Sequence, residues 1–354
     1  MSKNLSEQIL SEFSNLHGVS GFESEVRNEF VRHLKQLDLD YQIDKLGNVT
    51  GRVQKNGQLS VLIMAHMDEV GFLTQHVDEQ GFIRAIPLGR WVDHILWDKE
   101  WLVHIENQSF VAYSGMDPPH ISGLYKNQLI DINKLFFDTG LTKKEIIDKG
   151  FRPGLAITPA TRFKTFANGE FYSGKAFDDR VGLALIIELL TLIKKEPSIA
   201  NKLEIQFAAT VQEELGRRGS RVIYSTLKPD IVINLEASIA QDYPEQFSNT
   251  HLIYLGKGPA LFAFDGTMIP DQSLLNYIAA IAHANKIPFQ WEVEDSYGED
   301  ASCLQKSGHG VPAVNIGIPM RYAHSHHSVM RKLDYQLTLK LLFLCLKGAF
   351  NFTK

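Results

Sequence analysis

Short apolar runs alternate along the chain with segments of helical period, and several runs end abruptly at acids or histidines. Ser60–Ala65 (SVLIMA), Leu203–Val211 (LEIQFAATV), Ile231–Leu235 (IVINL) and Val311–Ile318 (VPAVNIGI) are nearly unbroken hydrophobic stretches of strand length. Runs of that kind predict strands covered on both faces. Helical segments lie between them. Asn4–Leu16 reads as a helix capped near Ser6 or Asn4, and Phe22–Leu37 carries Val26, Phe30 and Leu34 four apart on one face. Asp179–Lys194, Asp271–Lys286 (Leu274, Ile278 and Ile281 on one face) and Tyr335–Phe350 read as three more helices. Gly47-Asn48 marks a turn between short strands. The alternation predicts an α/β fold: a mixed, largely parallel sheet with helices on both faces.

The pattern changes from about residue 71 to 163. Short alternating pieces such as Gly81–Ile86 and Trp101–Ile105 are separated by turns, and helical period is scarce until Lys143–Lys149. Pro118-Pro119-His120 and Phe151-Arg152-Pro153-Gly154 punctuate these pieces. This predicts a small β-rich domain, residues 71–163, inserted into a discontinuous larger domain of residues 1–70 and 164–354. No internal repeat is visible.

Composition narrows the function classes. At 354 residues the chain can bury a large core, and its 22% charged and 44% hydrophobic residues are ordinary for a globular protein. A net charge of −5 gives no reason to expect nucleic acid or an anionic membrane as partner. The longest apolar run, Val181–Ile193, is broken by Glu188 and is too short to span a bilayer. The first residues lack the apolar core of a signal peptide. Only two cysteines occur, Cys303 and Cys345, which fits a reducing compartment. The expected location is the cytoplasm.

The chemistry gathers where the apolar runs stop. His66 follows SVLIMA, Glu213 and Glu214 follow LEIQFAATV, Glu236 follows IVINL, and His324 lies beyond VPAVNIGI. Asp178 precedes a helix. In open α/β sheets, ligands bind at the carboxyl ends of strands. A lone Glu-Glu pair there is most often a solvated acidic loop. Several acids and imidazoles at that edge, with no cysteine, point instead to Zn²⁺, Co²⁺ or Mn²⁺. One catalytic ion takes about three protein ligands, and two ions sharing a carboxylate need about five. His66, Asp178, Glu214, Glu236 and His324 make five, with Asp178 as the bridge. Glu213 is then left over as general base, moving a proton from water to the leaving amine. Asp68 shares a face with His66 and can accept its imidazole N–H. Asp179 reads as structural, a carboxylate at a helix start. Spacing alone leaves His326 and His327 as alternatives to His324. His17, His33, His76 and His283 lie in segments without an acidic partner arrangement, and His120 is at most a substrate or interface contact.

These residues sit in a set of motifs: SGFESEVR, DKLGNV, AHMDEVGF, PPH, GKAFDDR, VQEELGRRG, EASIAQDYP, LGKGP, GEDASCLQKSGHGVP and RYAHS. Together they make the chain resemble, over nearly its whole length, the M42 family of metallo-aminopeptidases. That family includes the tetrahedral aminopeptidases and proteins once labelled cellulase M. The resemblance implies metal roles for His66, Asp178 (bridging), Glu214, Glu236 and His324, and the base role for Glu213. It selects His324 because the family histidine follows Arg-Tyr-x. It also implies two divalent ions, a β-rich dimerisation domain, short peptides as substrates, and assembly of dimers into a dodecamer. Two positions depart from the family pattern: Glu236 stands where aspartate is usual, and Glu299 where threonine is common.

The leading expectation is therefore a dinuclear metal-dependent exopeptidase that removes N-terminal residues from short peptides. A deacylase or carboxypeptidase-like hydrolase on the same centre is the alternative, and Glu236 is its main support. A glycosidase needs two carboxyl groups about 5–10 Å apart flanking a sugar bond. With the carboxylates committed to metal, no such pair is left. A binding protein with a relict site is disfavoured by the intact residue set.

Overall fold

The apolar runs become the centre of a mixed sheet. In this computed structural model, which describes residues 5–53, 59–118, 120, 131–200, 202–244 and 253–350, β3 (Leu59–His66) lies between β11 (Leu203–Thr210) and β12 (Ile231–Ile239). β15 (Ala313–Arg321) pairs with the other edge of β12, and all three ladders are parallel. Alternation along these strands supplies two faces. Val61, Ile63 and Ala65 of β3 join one core cluster, while Leu62 and Met64 join another on the opposite face.

Helices cover both faces, as the pattern predicts. The first cluster is packed by α1 (Leu5–Asn15), α2 (Ser24–Gln36), α4 (Phe177–Lys195), α5 (Pro197–Ala200), α7 (Gln272–Ala284) and α9 (Lys332–Lys347). The second is packed by α6 (Ser220–Leu227) and α8 (Ala301–Gln305). Antiparallel strands extend the sheet: β1 (Tyr41–Ile43) and β2 (Val49–Arg52) beyond β11, then β16 (Ser328–Arg331), β10 (Phe171–Gly174) and β9 (Lys164–Phe166) beyond β15. β13 (Ala260–Phe264) pairs antiparallel with β15 and parallel with β14 (Gln290–Val293). Apart from the β13–β14 pair, the parallel ladders belong to the four central strands.

A separate five-stranded antiparallel sheet runs in the order β5 (Ile83–Leu88), β4 (Gly71–Val77), β8 (Ala156–Pro159), β6 (Lys99–Ile105), β7 (Gln108–Ser114). It has its own aromatic core, with Phe72 and Phe137 each within 5.4 Å of Trp101 by ring centroids, and α3 (Lys143–Asp148) adds Ile146. Among the described residues no helix is long and apolar enough to cross a membrane.

Some boundaries differ from expectation for identifiable reasons. α1 includes Ser6, whose hydroxyl donates to Glu188 at 3.0 Å instead of capping the helix; Asn4 and Pro119 lie outside the described residues. β12 runs four residues past Leu235 because β15 continues to pair with it. α9 starts at Lys332, three residues before the expected Tyr335, directly after β16. His33 does have acidic partners. Glu29 sits one turn before it in α2 and Glu12 comes from α1, at 3.5 and 3.0 Å from Nε2. The packing of two helices creates that group, and Arg32 already supplies its cation, donating to Glu12 at 2.9 Å and also to Glu29.

Candidate metal centre

The carboxyl ends of β3, β11, β12 and β15 open into a cleft of about 520 Å³. Five features of the fold deliver its polar side chains. His66 is the last residue of β3, opposite Thr210, the last of β11. It is 2% exposed. Its Nδ1 lies 3.1 Å from the Asp68 carbonyl and 3.5 Å from the Asp68 carboxylate, so an Nδ1–H is held there and Nε2 faces the cleft. That Nε2 is 3.0 Å from Asp178 Oδ1 and 3.6 Å from Glu236 Oε1. The sequence pairs the carboxylate of Asp68 with His66; in the structure its backbone carbonyl is the nearer acceptor.

Glu236 owes its place to a mismatch of strand lengths. β3 pairs with β12 only as far as Asn234, so the β3 side of Glu236 is open. Its Oε1 accepts the Ala237 amide at 3.0 Å, and its buried Oε2 has no hydrogen-bond partner among the described residues. Asp178 enters in the first turn of α4, after Ala176 at φ 54°. Its neighbour Asp179 accepts the Gly182 amide at 3.0 Å, a structural contact at the helix start.

His324 follows β15 on a loop with Tyr322 and His324 at φ 63° and 55°. Its Nδ1 is 2.9 Å from the carbonyl of Arg90, just beyond β5 of the smaller sheet. Its Nε2 is 3.2 Å from Asp178 Oδ2 and 3.2 Å from Glu214 Oε1. The rival histidines go elsewhere. His326 is buried with its ring 4.1 Å from Trp101, and His327 is exposed.

Glu213 and Glu214 ride a tight loop after β11. The Gly219 amide donates back to the Val211 carbonyl at 2.9 Å, and a Cβ at Gly219 would collide with Asn48 and Val211. The Asp68 carboxylate, fully buried, accepts the amides of Glu213 at 2.9 Å and Glu214 at 3.1 Å and the Ser20 hydroxyl at 2.5 Å. One acid thus orients both the histidine strand and the glutamate loop.

Two triads result, His66–Asp178–Glu236 and Asp178–Glu214–His324, each with ligand atoms within 4.8 Å of one another. They share Asp178, one oxygen toward each imidazole. The charges in the cleft are strongly coupled. Burial raises the Glu213 carboxyl well above its ordinary range, with Asp300, Glu299 and Glu214 adding to it against His66. Burial also raises Glu236, helped by Asp178 and opposed by His66. Asp178 is lowered despite burial, because His324 and His66 both donate to it. Burial lowers both imidazoles, but Glu236 and Asp178 bring His66, and Glu214 and Asp178 bring His324, well above the usual histidine value. Crowded buried carboxylates, a partnerless Oε2 on Glu236 and two imidazoles with their far nitrogens tied back form a donor set suited to divalent cations.

Three participants escape the sequence reading. The Arg90 contribution is a backbone carbonyl, which no side-chain pattern records. Glu299 is noted as a departure, but its burial beside Glu236, at 8% exposure, needs the fold. Glu23 reads only as a first-turn residue of the helix expected at Phe22–Leu37; in the structure it stands just before that helix.

Comparisons with known proteins identify the family and the fold. The M42 glutamyl aminopeptidase family model matches residues 47–341. The lysyl aminopeptidase of Pyrococcus furiosus is 29% identical over 339 residues, which cover 94% of this chain and 94% of that protein. The TET aminopeptidase of a marine sediment archaeon of the Thaumarchaeota superposes with a TM-score of 0.91 at 30% identity, over 97% of this chain and 98% of that one. The TET1 peptidase of Pyrococcus horikoshii, which can assemble into a tetrahedron or a large octahedral shell, gives 0.84 at 28% identity, over 96% and 98%. With the family model spanning most of its length, the chain belongs to the M42 glutamyl aminopeptidase family and is an aminopeptidase, a hydrolase acting on the N-terminal residues of peptides.

Proposed function

We propose that the two triads hold two divalent cations, one against His66, Asp178 and Glu236, the other against Asp178, Glu214 and His324. The observation that carries this reading is Asp178, whose two oxygens face different imidazoles at 3.0 and 3.2 Å. Zn²⁺, Co²⁺ and Mn²⁺ all suit imidazole and carboxylate donors. Such ions, when bound, polarise a carbonyl and ease deprotonation of water. Glu213 is the general base, taking a proton from the attacking water and returning it to the departing amine. Its burial among like charges raises its proton affinity toward the operating range of such a base. Asp68 is a positioning residue. It fixes the amides of Glu213 and Glu214 while its carbonyl holds the His66 ring.

The substrates are short peptides with a free N-terminus. Which N-terminal residue is preferred is a property of the cleft lining, which includes Arg90, Arg217 and Glu299. Residues 71–163 are the inserted dimerisation domain, and dimers assemble further, to a dodecamer; the shells built by the TET1 relative support this. Light scattering at micromolar concentration should then give a mass far above the 40.0 kDa of one chain; a monomer overturns that part. Two free cysteines, one fully buried, suit the cytoplasm.

The test of the catalytic reading is Glu213→Gln. Bound metal should stay at wild-type stoichiometry while turnover falls by about 10²–10⁴-fold. Near-normal turnover removes Glu213 from the mechanism.

A further inference from the structure

Four consecutive backbone amides in the glutamate loop are each accepted by a side chain. Val211 donates to Asn48 Oδ1 at 2.9 Å, Gln212 to Glu23 Oε1 at 3.1 Å, and Glu213 and Glu214 to the two oxygens of Asp68. Gln212 is the hinge of this loop. It sits at φ 55°, in the left-handed region that is unfavourable for a residue with a Cβ, so something must hold it there. Its two neighbours diverge from it: Val211 packs into the core and Glu213 enters the cleft.

Glu23 is placed to do the holding. It stands at the N-cap position of α2, yet its carboxylate makes no cap bond to that helix. The side chain is 3% exposed and its Oε1 also accepts the Gly21 amide at 2.8 Å, which ties it to its own loop. That loop carries Ser20, the hydroxyl that donates to Asp68. It is anchored to the segment after β3 as well, through the Glu69 amide to the Gly18 carbonyl at 3.0 Å and the Gly18 amide to Glu69 Oε1 at 3.1 Å. One N-terminal loop therefore braces both clamps on the glutamate loop, directly at Gln212 and through Asp68 at Glu213 and Glu214.

We infer that Glu23 is a positioning residue of the aminopeptidase: by accepting the Gln212 amide it fixes the left-handed hinge that aims Glu213. The inference rests on the reading of Glu213 as general base. Both glutamates keep their amides on Asp68, but Glu213 is bonded directly to Gln212 and Glu214 is one residue further on, so Glu23 governs turnover more than metal retention.

The experiment uses the full-length enzyme with Glu23→Ala and Glu23→Gln. Gln preserves an acceptor oxygen and the side-chain volume; Ala removes both. Glu23→Ala should lose roughly 10- to 100-fold in kcat, since an error of about 1 Å in a reacting group costs on the order of 10²-fold. KM and metal affinity, measured by titration of the metal-free protein, should stay within about threefold. Glu23→Gln should recover most of kcat. Amide hydrogen exchange on the metal-free protein gives a readout independent of turnover: a peptide spanning 211–214 should exchange faster in Glu23→Ala and near the wild-type rate in Glu23→Gln. Unchanged kcat in Glu23→Ala, equal damage in both variants, or unchanged exchange at 211–214 overturns the inference. Glu213→Gln run alongside keeps the two readings apart. Full activity there removes the base assignment, and the exchange result still decides whether Glu23 holds the loop.

Discussion

The two triads around Asp178 share a carboxylate and differ in nearly everything else. His66 and Glu236 come from neighbouring strands of the central sheet and are 2% and 3% exposed. His324 and Glu214 come from loops, and the His324 side chain is 31% exposed. The deep triad is held by strand pairing and by the Asp68 carbonyl. The shallow one depends on a left-handed loop and on a carbonyl lent by Arg90, next to the other sheet. Residues on paired strands are fixed by the cooperative core, whereas loop residues open locally at lower free energy. The structure therefore separates a half of the site carried on paired strands from a half carried on loops, of which His324 is the more exposed member and Glu214, its side chain at 6%, the less exposed.

The largest expected effect breaks the deep half. His66→Ala removes its only imidazole and leaves Glu236 and Asp178 facing each other. Turnover should fall by on the order of 10⁴-fold, and both equivalents of metal should be lost, because the buried half of the site, which shares Asp178 with the other half, is left with two carboxylates and no imidazole. His324→Ala should be milder. One equivalent should remain, and turnover should drop by on the order of 10²–10³-fold. Stepwise chelation of the wild type, followed by elemental analysis, should likewise show one ion leaving well before the other. Equal losses in the two variants would erase the distinction between the halves.

The smaller effect sharpens it. Glu236→Asp restores the usual family residue but retracts the carboxylate by about 1.5 Å, one carbon–carbon bond. Oε1 of Glu236 bonds the Ala237 amide and lies 3.6 Å from His66 Nε2, while Oε2 has no hydrogen-bond partner among the described residues. Metal affinity should weaken by about tenfold, as for a disturbed ligand shell. The ratio of activity on free-amine to N-acylated substrates should hold within about twofold, a plain ligand exchange with no change of substrate class. A large rise in that ratio would mean that the length of Glu236 selects the substrate.

The grouping of these residues was legible because most of them follow an apolar run of buried-strand type; Asp178, at a helix start, does not. SVLIMA, LEIQFAATV and IVINL put His66, the glutamate pair and Glu236 at one edge before any coordinates. What stayed hidden is whatever packing alone decides. The extra length of β12, which sets Glu236 within a strand beside an open edge, depends on where β3 stops. The Arg90 carbonyl carries no residue-type signal. The partners of His33 come from two helices whose contact the periodicity does not reveal. Glu23 was visible within SGFESEVR, but its side chain turns from its own helix toward Gln212, and only the fold shows that. The central parallel strands were predictable from their unbroken apolar runs; the antiparallel flanks are short strands of mixed polarity that declare no direction.

The most direct test of the two-cation reading is anomalous diffraction from crystals of the wild-type enzyme grown with Zn²⁺ or Co²⁺. Two peaks are predicted, one in contact with His66 and Glu236, one in contact with Glu214 and His324, and both touching Asp178. A single peak at full occupancy, or a pair in which Asp178 touches only one ion, would contradict it.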